Sequence, residues 1–215
     1  EYAKEKGINV INTPAASSHS VAELVFADLY GLARYLHNAN RDMPLEGDSR
    51  FKDLKKAYAK GTELKGKTIG ILGFGRIGQA TAKVAIGSGM NVIVYDPFIE
   101  EANLELDFFD GQKLNFNIKT ISKDSVLKQS DFITLHVPAQ KDYVIGANEF
   151  AMMKEGVILV NAARGGVIDE VALVNSIENG KVARAALDVF EKEPQPEVQL
   201  LMNPALSLTP HTGAA

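Results

Sequence analysis

The 215-residue chain contains no cysteine. That excludes disulfide staples and thiolate-bound metal, and it agrees with a reducing compartment. No apolar run approaches the roughly 18–20 residues of a membrane span, and nothing at the start has the pattern of a signal peptide. A soluble, cytoplasmic protein is therefore expected. Net charge is also small: a formal value of −4 leaves no basic footprint for nucleic acid or an anionic membrane. There are no internal repeats and no low-complexity segment. Apolar residues make up 46% of the chain, enough to bury one real core. Residue 1 is Glu rather than Met, and residues 1–14 read as the end of an αβ unit, so the chain is expected to be cut from something longer.

Helical and strand patterns alternate along the sequence. Residues 20–36 carry Ala22, Val25, Phe26, Leu29, Leu32, Ala33 and Leu36 at the spacing of a helix face, with Ser20 as N-cap and Glu23 completing a capping box. Val21, Leu24 and Tyr30 add a second apolar surface. A second copy of the chain, related by a twofold axis, is the expected cover for it. Residues 43–65 read as a polar loop with a short helix around 51–58. Strands are expected at 68–72, 91–95, 132–137, 157–161, 183–189 and 206–209, and helices at 76–86, 123–129, 149–153 and 170–179. Asp110-Gly111 suggests a hairpin turn inside 104–118, a segment to which no role attaches. Strands alternating with helices across short turns predict an α/β fold of Rossmann type, a doubly wound parallel sheet with helices on both faces. The expected organisation is the end of a preceding substrate domain over 1–14, a dinucleotide-binding domain over 15–205, and the last strand with the start of the chain's return over 206–215.

Gly73-Phe74-Gly75-Arg76-Ile77-Gly78 leaves the strand 68–72 and enters a helix. A lone glycine motif is weak, but this context is the one the motif requires. Gly73 permits the tight turn, Gly75 lets a pyrophosphate approach the backbone, and Gly78 lets the helix pack on the strand. The phosphates then sit at a helix N-terminus, where free N–H groups and the dipole favour an anion. Asp96 ends the next apolar run, placed to accept hydrogen bonds from a ribose 2′-hydroxyl. Its charge repels a 2′-phosphate by ~4 kcal/mol at about 4 Å and an effective dielectric of about 20, which selects NAD over NADP.

His136, Arg164, Asp188 and His211 all fall at later strand ends, where ligands bind in an open α/β sheet. Arg164 can form two parallel hydrogen bonds to a carboxylate, and the two glycines after it leave room for a substrate. His211 carries an imidazole, which exchanges a proton near neutral pH as a hydride moves. Glu193 can accept from its other ring nitrogen, fixing the tautomer and favouring the protonated ring. Taken singly, each residue has a plain structural reading. His19 and His37 are left with that reading, and no metal site is expected.

In combination these motifs resemble the D-isomer-specific 2-hydroxyacid dehydrogenase family over essentially the whole chain: Asn12-Thr13-Pro14, Ser20 to Leu24, the glycine motif, Tyr95-Asp96-Pro97, Ser130-Asp131 with His136-Val137-Pro138, Asn161 to Asp169, Ala186 to Phe190 with Glu193-Pro194, and Pro210 to Gly213. The resemblance implies an NAD-dependent enzyme in which Arg164 binds the substrate carboxylate, His211 is the acid/base and Glu193 its partner. It further implies that Arg76 and Ile77 lie along the pyrophosphate and that His136, Val137 and Pro138 form the adenosine-side wall. Ala162, Ala163 and Arg164 would line the nicotinamide with His211 and Gly213, and Asp188 would bond the carboxamide. A homodimer through the nucleotide-binding domain is implied as well. The wording is most similar to short members acting on D-3-phosphoglycerate in serine biosynthesis, with D-lactate and glyoxylate or hydroxypyruvate as alternatives. Members carry a substrate domain that this chain lacks, so the isolated chain is expected to be inactive. The competing reading is an NAD-sensing, corepressor-like binding module, whose signal would be an exposed apolar groove or a disordered tail; neither is visible in the sequence.

Overall fold

The computed structural model describes residues 2–9 and 16–214. The Val10-Ile11 stretch, the Asn12-Thr13-Pro14 motif and the boundary expected after residue 14 lie outside the described residues. In chain order the elements are α1 (Tyr2–Glu5), α2 (Ser18–Ala33), α3 (Leu36–Glu46), α4 (Phe51–Tyr58), β1 (Thr68–Leu72), α5 (Arg76–Gly87), β2 (Asn91–Tyr95), β3 (Glu101–Asp107), β4 (Lys113–Lys119), α6 (Lys123–Gln129), β5 (Phe132–Leu135), α7 (Ala147–Met152), β6 (Val157–Asn161), α8 (Glu170–Glu178), β7 (Val182–Leu187), α9 (Val198–Leu201) and β8 (Leu206–Leu208).

Six strands form one sheet in the order β2-β1-β5-β6-β7-β8, and every pair in it is parallel. Such strands are covered on both faces and read as continuous apolar runs; all five residues of β6 are buried. Alternate side chains feed two cores. Ile133, Leu135 and Leu159 face Val126, Phe150 and Leu173 on one side. On the other, Phe132, Ile158 and Val160 pack with Val25, Leu29 and Ala82. Burying one such Leu or Phe contributes roughly 1.5–3 kcal/mol. The chain winds from β1 out to β2, then returns to β5 on the opposite side of β1. That reversal opens a crevice beyond the carboxyl ends of β1 and β5.

Several expected boundaries move for identifiable reasons. The first long helix begins at Ser18 rather than after Ser20, and its N-cap, Ser17, makes no side-chain capping bond, so the Ser20–Glu23 capping box does not form. Three serines compete to start this helix, and the earlier start buries Ser18. It ends at Ala33 because Tyr35 turns left-handed, with φ 58°. The chain restarts as α3, which runs through Met43 and Pro44 where a loop was expected. Of the second apolar surface expected on α2, Val21 is buried within this one chain with Ala22, Val25, Phe26, Leu29, Leu32 and Ala33, against α5, β6 and β7, whereas Leu24 is half-buried and Tyr30 exposed. Large exposed apolar side chains also lie on α3 and α4, at Leu36, Met43, Leu45 and Phe51.

The 104–118 segment is the expected antiparallel hairpin, extended to Glu101 and Lys119. Gly111 takes φ 85° in its turn, a conformation that favours glycine. Leu104 anchors the hairpin in the second core, and Thr120 forms a parallel bridge with Val94 at the β2 edge.

Candidate active site

The glycine loop and the β5 loop meet at the crevice. A Cβ at Gly73 would stand 2.5 Å from the His136 carbonyl oxygen, and one at Gly78 would collide with the Gly73 carbonyl oxygen. Both positions are therefore close approaches that only glycine allows. Gly75 differs: it has open space where a side chain would stand, and it heads α5 with no side-chain cap. The first-turn N–H groups of Arg76 and Ile77, with the clearance over Gly75, make a cradle for a pyrophosphate. The residues present fit a dinucleotide.

Asp96 flanks this cradle and also shapes it. Its Oδ2 accepts from the Phe74 N–H at 2.7 Å, and its Oδ1 accepts from Phe98 and Ile99 at 2.9 and 3.1 Å. Sequence reasoning placed Asp96 at a ribose but missed that it fixes the glycine loop. Opposite, the His136 ring nitrogen Nε2 lies 3.2 Å from Thr81 Oγ1 and 3.1 Å from Thr134 Oγ1. Burial pushes this imidazole down to about 3, so it is neutral at physiological pH. That agrees with a wall residue and argues against proton transfer. Its Nδ1 is buried with no hydrogen-bond partner among the described residues. Val137 beside it is half-buried and Pro138 exposed.

The β6 loop presents Arg164. Asn161, buried at the end of β6, makes the turn: its Oδ1 accepts from Ala163 N–H at 3.0 Å and its Nδ2 donates to the Arg164 carbonyl at 3.1 Å. A buried amide closing an otherwise apolar strand was the signal for this role. Ala162 and Ala163 are buried while Arg164 is exposed. Its guanidinium folds back to donate to the Ala163 carbonyl at 2.6 Å, a weak tether that a carboxylate can replace.

Glu193 and His211 come together as expected, with Nδ1 of the imidazole 2.9 Å from Oε2 of the carboxylate. The other oxygen, Oε1, accepts from the Phe190 N–H at 3.0 Å. The His211 bond holds the Glu193 carboxyl below the usual carboxylate range, helped by the Phe190 amide and by the charge of Arg164. Next to the pair, Phe190, Pro194, Pro196, Leu201, Leu208 and Pro210 line a largely apolar pocket of about 440 Å³.

Asp188, directly after β7, is held by donors from the histidine loop. It is 2% exposed and lies beneath the histidine loop, where Oδ1 accepts from Thr209 Oγ1 at 2.6 Å, Thr212 N–H at 2.8 Å and Thr212 Oγ1 at 3.4 Å. Oδ2 accepts from Gly213 N–H at 2.8 Å. Donors of the protein itself thus reach both oxygens, which a buried carboxylate needs. The consequence falls on His211, whose φ of 55° is uncommon for a residue with a side chain. Bonds on both sides of it, at Thr209 and at Thr212 and Gly213, hold that conformation. Gly213, expected beside the cofactor, is buried against Asp188, Leu24 and Val21. Among the described residues no cluster of His, Cys, Asp and Glu could hold a metal ion, and no helix is long and apolar enough to cross a membrane.

Residues 26–213 match the model of the D-isomer specific 2-hydroxyacid dehydrogenase NAD binding domain. The whole chain is 44% identical to a hydroxypyruvate reductase of Thermotoga maritima, covering 66% of that protein. It is 43% identical to a D-3-phosphoglycerate dehydrogenase of Methanocaldococcus jannaschii, covering 39% of it. The chain thus spans less than two thirds of the length of these relatives. Among solved structures, the holo form of D-mandelate dehydrogenase from Rhodotorula graminis superposes with a TM-score of 0.84 at 26% identity, over 99% of this chain and 61% of that one.

Proposed function

Because the chain belongs to the D-isomer specific 2-hydroxyacid dehydrogenase family, as its NAD-binding domain, we propose that it is the cofactor half of an enzyme that transfers a hydride between nicotinamide and C2 of a D-2-hydroxy acid or 2-oxo acid. The observation that carries this reading is the 2.9 Å bond between His211 and Glu193, with the charge of Arg164 acting on the same carboxylate. Glu193 accepts the Nδ1 proton, which leaves Nε2 of His211 to give a proton to the substrate oxygen as the hydride arrives, or to take it in the reverse direction. Arg164 exchanges its tether to the Ala163 carbonyl for the substrate carboxylate and fixes its orientation. NAD, when bound, supplies or accepts the hydride; Gly75, Arg76 and Ile77 hold its pyrophosphate, and His136, Val137 and Pro138 border its adenosine. Asp188 serves the reaction through the loop that carries His211. We place the substrate among three-carbon acids bearing oxygen at C3, with 3-phosphohydroxypyruvate and D-3-phosphoglycerate first, hydroxypyruvate second. The names of the two relatives support that class. Residues outside this chain supply the other wall of the site, so the chain alone binds cofactor without efficient turnover.

The cofactor half of this proposal is tested by titrating the chain with NADH and with NADPH, following nucleotide fluorescence. NADH binds more tightly, and Asp96→Ala narrows the gap, since the charge that repels a 2′-phosphate is gone. The variant also loosens the Phe74 amide, so its affinity for NADH falls as well. Tighter binding of NADPH by the unaltered chain removes Asp96 from this role.

The protein is further proposed to form a homodimer through this domain. Its carrier is the exposed apolar set of Tyr30 on α2 with Leu36, Met43, Leu45 and Phe51 on α3 and α4. Sedimentation at micromolar concentration is expected to show a dimer that Leu45→Glu weakens, and a strict monomer counts against it.

A further inference from the structure

The loops that carry Arg164 and Glu193 are bound to each other by a contact that neither residue makes. Glu170 is the first residue of α8, directly after the Arg164 loop, and Glu191 lies two residues before Glu193. They exchange hydrogen bonds reciprocally. The Glu170 N–H donates to Glu191 Oε1 at 3.1 Å, and the Glu191 N–H donates to Glu170 Oε1 at 2.8 Å. A second point of contact lies one residue beyond Arg164, where a Cβ at Gly165 would collide with the Phe190 carbonyl oxygen. Glu170 is 6% exposed, and burial together with the Glu191 charge pushes its carboxyl up. Two like charges sit together here because α8 points its first N–H groups to this end, where an anion is favoured. Asp169 already serves as the N-cap by accepting from Ala172 N–H at 2.9 Å, so Glu170 is not needed for capping.

The geometry points to Glu170 as a positioning residue: its exchange with Glu191 holds the Glu193–His211 pair in register with Arg164. This rests on the proposal that Arg164, Glu193 and His211 form the reacting set. From Glu191 the link runs to Phe190, whose N–H is bonded to Glu193 Oε1, and through Glu193 to His211. Removing the Glu170 carboxylate leaves the Glu191 N–H without its acceptor and frees the 190–193 segment to drift against the Arg164 loop. A misplacement of about 1 Å between reacting groups costs as much as 10²-fold in rate.

The test compares Glu170→Ala and Glu170→Gln in the full-length protein by amide hydrogen exchange and by steady-state kinetics. In Glu170→Ala the Glu191 and Phe190 amides exchange faster, kcat/KM for the 2-oxo acid falls roughly ten- to a hundredfold, and affinity for NADH stays put. Glu170→Gln keeps an oxygen that accepts from Glu191 and restores most of both losses, which a role resting on charge would not allow. Unchanged exchange at Phe190 in Glu170→Ala overturns the brace, whatever the kinetics show. Faster exchange with unchanged kcat/KM, or a Gln variant as impaired as Ala, overturns the positioning role. If the unaltered protein reduces no 2-oxo acid, the reaction proposal fails by itself, and the exchange at Phe190 still decides whether Glu170 holds the Glu193 segment.

Discussion

Replacing His211 by Ala in the full-length protein lowers kcat by ~10²–10⁴-fold, the range that a positioned acid/base supplies, while NADH binds almost as before. The two effects separate because of where the ring stands. His211 is bonded to Glu193, outside the glycine cradle formed by Gly73, Gly75 and Gly78 at the head of α5. Its proton is needed only as charge develops on the substrate oxygen, so the loss falls on the transition state rather than on cofactor affinity. Burst-free steady-state rates and fluorescence titration of NADH on the same preparation read both quantities. A variant that keeps its turnover, or that loses NADH affinity in proportion to turnover, removes His211 from the proton-transfer role.

Replacing Arg164 by Ala lowers kcat/KM for the 2-oxo acid by a comparable amount. Hydrogen bonds to a charged partner contribute about 1.5–3 kcal/mol each, and a bidentate pair with a carboxylate therefore accounts for roughly 10²–10⁴-fold. Arg164→Lys recovers only part of it, because a single ammonium keeps the charge but loses the planar fork that orients the substrate. The local fold should survive both changes. The turn is held by Asn161 through the main chain of Ala163 and Arg164, and the Arg164 side chain is exposed, bonded among the described residues only to the carbonyl of its neighbour. Kinetics with a 2-oxo acid and with the matching 2-oxo amide, which lacks the carboxylate, separate orientation from general damage. Equal losses on both substrates, or a Lys variant at the unaltered rate, contradict carboxylate binding by Arg164.

The strands of the sheet were legible in the sequence because each is a short, mostly apolar run closed by glycine or a polar residue. Thr68–Leu72, Asn91–Tyr95 and Val157–Asn161 fall where their patterns put them, as does the hairpin turn at Asp110-Gly111. The pairing of Glu193 with His211 was legible from residue chemistry at strand ends. What was hidden depends on contacts distant in sequence. Tyr35 gives no local sign that it will turn left-handed and end α2. Asp188 is satisfied by donors more than twenty residues away, and the Glu170–Glu191 exchange spans 21 positions. Periodicity counts the faces of α2 without showing what covers them: the sheet and α5 cover Val21, Val25 and Leu29, while Tyr30 stays exposed.

The most direct measurement is the oxidation of NADH by the full-length protein, followed by its absorbance, against 3-phosphohydroxypyruvate, hydroxypyruvate, glyoxylate and pyruvate, with chiral analysis of the product. The proposed hydride transfer requires that at least one of these acids is reduced, that the product is the D-2-hydroxy acid where C2 becomes a stereocentre, and that His211→Ala abolishes the rate. Tight NADH binding with no reduction of any 2-oxo acid, or an L product, would contradict it.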